Sequence, residues 1–117
     1  MTSGAGTPEE LEALLEDAFV VRDRIAAAGL FEHGSVLACT AVAHPTRGRA
    51  AIAELVERLW ESDQTYVADP RQVLQARDTA LVIGSHVISV ARRGPGGWRY
   101  AIALLSGFDD ATERQEP

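Results

Sequence analysis

The chain has 117 residues, a formal net charge of −6, and 46% hydrophobic and 24% charged residues. This length suits one domain with one core, and the ordinary globular composition argues against disorder of the whole chain. An acidic balance without a basic stripe makes nucleic acid a poor partner, and the single cysteine, Cys39, excludes an internal disulfide and a multi-cysteine metal cluster.

The expected compartment is the cytoplasm, with no membrane partner. No apolar run approaches the roughly 20 residues that a membrane span needs. The first residues lack the basic-then-apolar order of a signal peptide. We expect residues 1–7 and 109–117 to be flexible tails around a single domain at 8–108.

Three helices are predicted. Thr7 can cap the first of these helices, Pro8 suits its first position, and Glu10 completes a capping box. An apolar stripe then extends the helix to about residue 22, and Asp23 can cap a short second helix over 24–30. A second stripe predicts the third helix, over 49–62. The first stripe consists of Leu11, Leu14, Leu15, Ala18 and Phe19, and the second of Ile52, Leu55, Val56, Leu59 and Trp60.

Strands are predicted over 36–42, 65–68, 71–76, 80–92 and 98–107, with a bend at Gly84 in the long fourth strand. Segregation of most helices from most strands favours an α+β fold. The two long strands are apolar at both odd and even positions, so both faces of the sheet require cover. The helices cover one face, and we expect a second copy of the chain to cover the other, giving a homodimer.

Four segments, in this order and spacing, resemble the SnoaL-like and ketosteroid-isomerase-like group of the nuclear transport factor 2 superfamily. They are residues 18–23 (AFVVRD), 29–37 (GLFEHGSVL), 47–52 (RGRAAI) and 97–106 (GWRYAIALLS). The resemblance implies a cone, in which a strongly curved antiparallel sheet wraps around three N-terminal helices as in a cystatin-like roll. It also implies an apolar pocket inside the cone, and pockets of this kind hold small molecules through a few placed polar groups.

The candidate pocket residues combine helix-stripe positions with small or polar positions on the strands that would line the cone. They are Leu15, Phe19, Cys39, Val56, Trp60, Tyr66, Ser89, Ala101, Ala103 and Leu105. Their apolar character predicts an apolar metabolite, polyketide-like or terpenoid-like, as the ligand. No phosphate-binding loop or dinucleotide fingerprint is present, and we expect no cofactor.

The catalytic residues of the resembled isomerases are not matched. Ketosteroid isomerases use a carboxylate base, a tyrosine and a protonated carboxylic acid. Segment alignment places these groups at Cys39, near Leu15 and near Ser89, and none of the three residues has the required chemistry. The strands predicted to line the cone carry no Asp or Glu. The sequence therefore favours ligand binding and leaves catalysis open.

The remaining candidates for chemistry are Cys39, His86 and Tyr66. Cys39 is either a pocket thiol activated by a nearby cation or a small buried hydrophobe. His86 is either a general base or a histidine of the core or dimer face. The alternatives to a binding domain are an isomerase, cyclase or dehydratase that uses these residues, and a dimerisation module with a collapsed pocket. Close metal-ligand spacing is lacking, so no metal is expected.

Overall fold

The computed structural model describes residues 5–109. The helices are α1 (Pro8–Val21), α2 (Arg24–Gly29) and α3 (Arg49–Glu61). The strands are β1 (Phe31–Cys39), β2 (Thr46–Arg47), β3 (Pro70–Ala76), β4 (Thr79–Gly84), β5 (Val87–Gly94) and β6 (Gly97–Leu105). One curved sheet has the strand order β2-β1-β6-β5-β4-β3, so it is open at β2 and β3. The α+β cone predicted from the sequence is confirmed.

The helix boundaries follow from local capping. The Thr7 hydroxyl accepts a hydrogen bond from the Glu10 backbone N–H at 3.0 Å, and the Asp23 carboxylate accepts one from the Ala26 N–H at 3.0 Å. Each bond pairs an N–H that a helix start leaves without a partner. Helix α3 differs, because it follows Gly48 at φ +86° and receives no side-chain cap.

The sheet is mixed, because β1 pairs with β6 in parallel while the other pairs are antiparallel. The long strand predicted over 80–92 is two strands, joined by a tight turn at Ser85 and His86. The turn sits against the start of β3, where a Cβ on Gly84 would lie 2.6 Å from the Asp69 carbonyl oxygen. The predicted bend at Gly84 is therefore a chain reversal.

Three further sequence predictions differ from the structure. Residues 65–68 form no strand, and β1 begins at Phe31 instead of residue 36, because its first residues extend beside β6. Ala5, predicted to lie in a flexible tail, is fully buried and bridges Trp98, whose N–H donates to the Ala5 carbonyl at 2.9 Å. Of the other predicted tail, all but Asp109 lies outside the described residues.

Strand register decides which side chains face the helices. Tyr100 lies opposite Ala91, but Ile102 lies opposite Val90, so Ala101 is the extra residue of a β-bulge. Past the bulge, Ala103 and Leu105 point to the same buried face as Tyr100, whereas Ile102 and Leu104 point away. The bulge thus reverses the alternation that a regular strand would give.

The outer face of the sheet is apolar across five strands. One cross-strand row consists of Leu74, Leu81, Val90, Ile102 and Val36, and the next contains Ile83, Ile88, Leu104 and Ala38. Ile88, Ile102 and Leu104 are 50%, 55% and 48% exposed. We call this surface the outer sheet face.

In the described part of the chain, no helix has the length and apolar character required to cross a membrane.

Candidate functional site

A carboxylate lies at the centre of the cone. Glu12 of α1 is fully buried. The Tyr66 hydroxyl donates a hydrogen bond to Glu12 Oε1 at 2.5 Å, and the Tyr100 hydroxyl donates one to Glu12 Oε2. The three side chains come from α1, from the segment between α3 and β3, and from β6. We call them the carboxylate cluster.

Burial controls the protonation of this cluster. Burial raises the pKa of the Glu12 carboxyl above its ordinary value, because removal from water disfavours the ionised form, although the two tyrosine hydrogen bonds oppose the shift. Burial also raises the pKa of Tyr66 and of Tyr100, and the adjacent Glu12 raises both further. Both tyrosines are therefore neutral hydroxyl donors at physiological pH, aimed at one carboxylate.

An aromatic wall adjoins the cluster and is centred on Phe19 of α1. The ring of Phe19 meets Trp60 edge-on at a centroid distance of 5.5 Å, and it stacks on Phe108 at 6.2 Å. The Tyr66 ring lies 6.1 Å from Phe19, so the wall continues directly into the carboxylate cluster. Because aromatic side chains present large apolar surfaces with a few polar edges, this wall suits an apolar ring-containing ligand.

Residues 106–109, which we call the strap, hold Phe108 against this wall. The Thr40 hydroxyl donates to the Phe108 carbonyl at 2.8 Å and accepts from the Phe108 N–H at 3.0 Å. The Gln64 side chain makes the same reciprocal pair with the backbone of Asp109. Beside the strap, a polar cleft of about 340 Å³ opens among Tyr66, His86 and Gly107. Tyr66 is thus shared between the cleft and the carboxylate cluster.

Three buried polar atoms near this region have no hydrogen-bond partner among the described residues: Trp60 Nε1, His86 Nδ1 and Ser89 Oγ. Ser89 is 1% exposed and lies opposite Ala103 on the inner face of the sheet. The next inward-facing residue of β5 is Ala91, which lies opposite Tyr100. Buried polar groups in native proteins are nearly always hydrogen-bonded, so we expect each of these atoms to have a hydrogen-bond partner. A bound molecule or an ordered water would supply it.

Replacing Ser89 with alanine is expected to raise the free energy of unfolding of the unliganded protein by about 1 kcal/mol, because it removes an unpaired hydroxyl from the core. Urea denaturation monitored by tryptophan fluorescence measures the change. Thr40→Val is the matched control: its hydroxyl makes two hydrogen bonds, and its loss should lower stability. A loss of stability in Ser89→Ala would show that the hydroxyl is already paired in the unliganded state.

The structure brings most of the sequence-predicted pocket residues to the buried interior. Leu15, Phe19, Cys39, Val56, Trp60, Tyr66, Ser89, Ala103 and Leu105 are all buried. Ala101 is only partly buried, because it is the bulged residue of β6. Burial places these side chains in the cone, whereas a role in binding stays a prediction.

The structure does not bring Cys39 and His86 together. Burial raises the pKa of the Cys39 thiol, which disfavours the reactive thiolate. His86 lies in the β4–β5 turn instead of mid-strand, and its ring packs against Gly107. Strand β6 separates Cys39 from Val87, the neighbour of His86, so their backbones lie about 10 Å apart.

Sequence analysis missed Glu12, Tyr100 and Phe108. The inward position of Glu12 was predictable from helix periodicity. Pro8 lies four residues before it, Leu15 three after it and Phe19 seven after it, so all four share one helix face. The strands predicted to line the cone carry no carboxylate, and the buried carboxylate comes from α1 instead. Tyr100 was obscured by the bulge at Ala101, and Phe108 by its assignment to the end of the domain.

Among residues 5–109, no group of three or more His, Cys, Asp or Glu is placed to hold a metal.

Comparison with known proteins finds similarity in structure only. No protein-family model matches the chain, and no curated protein sequence matches it significantly. A Thiobacillus denitrificans protein named as a calcium/calmodulin-dependent protein kinase type II association domain aligns with a TM-score of 0.71 and 19% identity, over 90% of this chain and 98% of the other.

Two further solved structures have the same architecture. A nuclear transport factor 2-like protein with a cystatin-like fold from Novosphingobium aromaticivorans aligns at TM-score 0.70 and 22% identity, over 84% of this chain and 77% of the other. A ketosteroid isomerase-like protein from Erwinia carotovora atroseptica aligns at 0.68 and 18%, over 84% and 91%. The chain therefore has the nuclear transport factor 2-like, cystatin-like fold that the sequence resemblance implied.

Proposed function

We propose that this protein binds a small apolar molecule inside the cone and anchors one polar group of that molecule at the carboxylate cluster. The observation that carries the proposal is the fully buried carboxylate of Glu12 between two tyrosine hydroxyls. The ligand that fits is an apolar, ring-containing compound with a hydroxyl or carbonyl oxygen. Its rings would contact the aromatic wall, and its oxygen would approach Tyr66, Tyr100 or the unpaired Ser89 hydroxyl.

Energetics support a functional role for Glu12. A buried ionisable group carries a desolvation cost, and replacement by packed apolar residues is often neutral or stabilising. Titratable groups perturbed by burial and by specific partners cluster at functional sites. A domain that needed only a packed core could have apolar residues in place of all three members of the cluster. The cluster is therefore better explained by recognition of a polar group than by packing.

Ligand entry requires the strap to move. Phe108 occupies the end of the aromatic wall, and a handful of hydrogen bonds from Thr40, Gln64 and His86 hold the strap in place. Segments held by few contacts open at much lower free energy than the core. Displacement of Phe108 would join the polar cleft to the aromatic wall and uncover a path to the carboxylate cluster.

Native mass spectrometry of the protein isolated from its own host tests the proposal. We expect a defined apolar adduct that organic solvent extracts, and reduced occupancy in Glu12→Gln and Tyr100→Phe. Glu9→Gln, an exposed change on the same helix, is the control and should keep the adduct. Ligand-free protein from several growth conditions would contradict the proposal and favour a dimerisation module with a filled interior.

A second candidate function follows from the raised pKa of Glu12. A carboxyl group whose pKa is raised by burial is suited to general acid–base work, and two tyrosine hydroxyls could stabilise an oxyanion that forms beside it. The reaction class would be proton transfer next to a carbonyl of the bound molecule. Once the ligand is known, Glu12→Gln separates the two functions: it would abolish turnover in an enzyme, whereas a binding protein shows no turnover to lose.

We further propose that the protein is a homodimer through the outer sheet face. Exposed apolar patches of this extent on a soluble domain mark interaction sites. One row is continuous over five strands and the next over four, and a two-fold axis would place each row against its symmetry copy.

A further inference from the structure

An apolar groove of about 740 Å³ runs over the outer side of α1 and α2, away from the carboxylate cluster. Its apolar walls come from Leu14, Ala18, Val21, Ile25 and Leu30. Val21 and Ile25 are 69% and 74% exposed, which is unusual for such side chains. We call this the helical groove. Its volume lies within the range of small-molecule sites.

Two arginines line the helical groove, and the backbone fixes both. Arg49 Nε donates to the Phe31 carbonyl at 2.7 Å, and Arg99 Nε donates to the Gly29 carbonyl at 3.1 Å. These carbonyls flank Leu30, so two guanidinium groups from different elements converge on one short segment of the groove. Each Nε is occupied, which orients the planar group. One terminal nitrogen of Arg49 also lies 3.1 Å from His33 Nε2. The other outer N–H groups remain for another partner.

Neither arginine forms an ion pair within the described part of the chain. The ion pairs found there involve Arg22, Arg24, Arg71, Arg92 and Arg93. Helix α3 also begins at Arg49 without a side-chain cap, so its first N–H groups add positive potential. Positive charge thus concentrates at one end of an apolar groove, in a chain of net charge −6. An anionic group would relieve the repulsion between the two arginines.

We propose that the helical groove binds an amphipathic carboxylate, with its carboxylate between Arg49 and Arg99 and its hydrocarbon part along Val21 and Ile25. Planar guanidinium groups match the geometry of a carboxylate and form strong charge-assisted hydrogen bonds with it. Asp17 also lines the groove. Its negative charge disfavours a carboxylate beside it and so directs the head group to the arginine end. This site is independent of the cone interior.

Titration with sodium decanoate, followed by backbone amide NMR, tests the proposal. We expect chemical-shift changes centred on residues 14–30, and binding that weakens as salt is added. Decyltrimethylammonium, which has the same chain and the opposite charge, should bind at least about tenfold more weakly. Equal binding of both compounds, no binding of decanoate below its micelle concentration, or shifts confined to the cone or the outer sheet face would overturn the proposal.

Substitutions test whether Arg49 and Arg99 bind the carboxylate. The double change Arg49→Gln and Arg99→Gln should weaken decanoate binding about tenfold or more. Arg77→Gln, in the β3–β4 turn, is the matched control and should leave it unchanged. Since Arg49 and Arg99 also hold backbone carbonyls, Ile25→Asp serves as a second variant that changes only an exposed side chain. It should weaken binding as strongly with the fold intact, and unchanged affinity in Ile25→Asp would refute the site.

Discussion

Replacement of Glu12 by alanine is expected to lower the free energy of unfolding by about 4 kcal/mol. The change leaves the hydroxyls of Tyr66 and Tyr100 buried without an acceptor, and it opens a cavity between α1 and the sheet. Glutamine at the same position should cost little at neutral pH. Its amide oxygen can accept from one tyrosine, and its NH₂ group can donate to the other.

The pKa shift of Glu12 determines how its contribution to the free energy of unfolding changes with pH. The pKa of Glu12 is raised by folding, so the folded state holds this proton more tightly than the unfolded state. Stability from this group is therefore highest below the unfolded pKa, and it falls as pH rises through the folded pKa. Glu12→Gln lacks this dependence. Its stability relative to the wild type should thus increase as the pH rises above about 4.5, the ordinary pKa of this carboxyl.

Urea denaturation at several pH values measures both effects. Glu9→Ala is the control for α1, because Glu9 is exposed, and it should cost only a few tenths of a kcal/mol. If Glu12→Ala and Glu12→Gln destabilise equally, the two tyrosine hydrogen bonds do not depend on a polar group at position 12. That result would contradict the carboxylate cluster as described.

Ile102→Glu is expected to convert the proposed homodimer into monomers. Ile102 lies within the outer sheet face, between Val90 and Val36 in its cross-strand row. In a two-fold interface the new charge occurs twice and loses its water on both copies. We expect a cost of about 4 kcal/mol or more, which corresponds to roughly a thousandfold in Kd. The fold should survive, because the side chain is 55% exposed in the single chain.

Sedimentation equilibrium over a range of concentrations measures this change. Val20→Glu is the matched control, since Val20 is 68% exposed on α1 and lies outside the outer sheet face. The control should remain dimeric. A wild-type protein that is monomeric at all concentrations, or an Ile102→Glu variant that dimerises as tightly as the wild type, would contradict the interface.

Much of the fold was predictable because its signals are local. The capping residues Thr7 and Asp23 and the apolar stripes of α1 and α3 determine the helices without reference to the rest of the chain. Strand boundaries were less predictable. At the reversal of Ser85 and His86, Gly84 approaches the Asp69 backbone closely and the Ser85 N–H donates to the Asp69 carbonyl, and no local pattern shows this contact. The parallel pairing of β1 with β6 likewise joins segments more than sixty residues apart.

The candidate site was harder to predict than the fold. Its members come from distant segments, and only Tyr66 had been singled out for its hydroxyl. The inward direction of Tyr100 together with Ala103 depends on the bulge at Ala101, which a regular alternation cannot reveal. Glu12 shows the opposite case: its position within the stripe was readable, but a charged residue at a core position is easily assigned to solvent.

A crystal structure of the protein purified from its own host tests the central claim most directly. We expect electron density for an apolar molecule against Phe19 and Trp60, with a polar atom within hydrogen-bond distance of the carboxylate cluster or Ser89. Phe108 should be displaced. The contrary result is a protein that carries a stoichiometric ligand elsewhere. In that protein, side chains would fill the interior of the cone and Phe108 would remain in place.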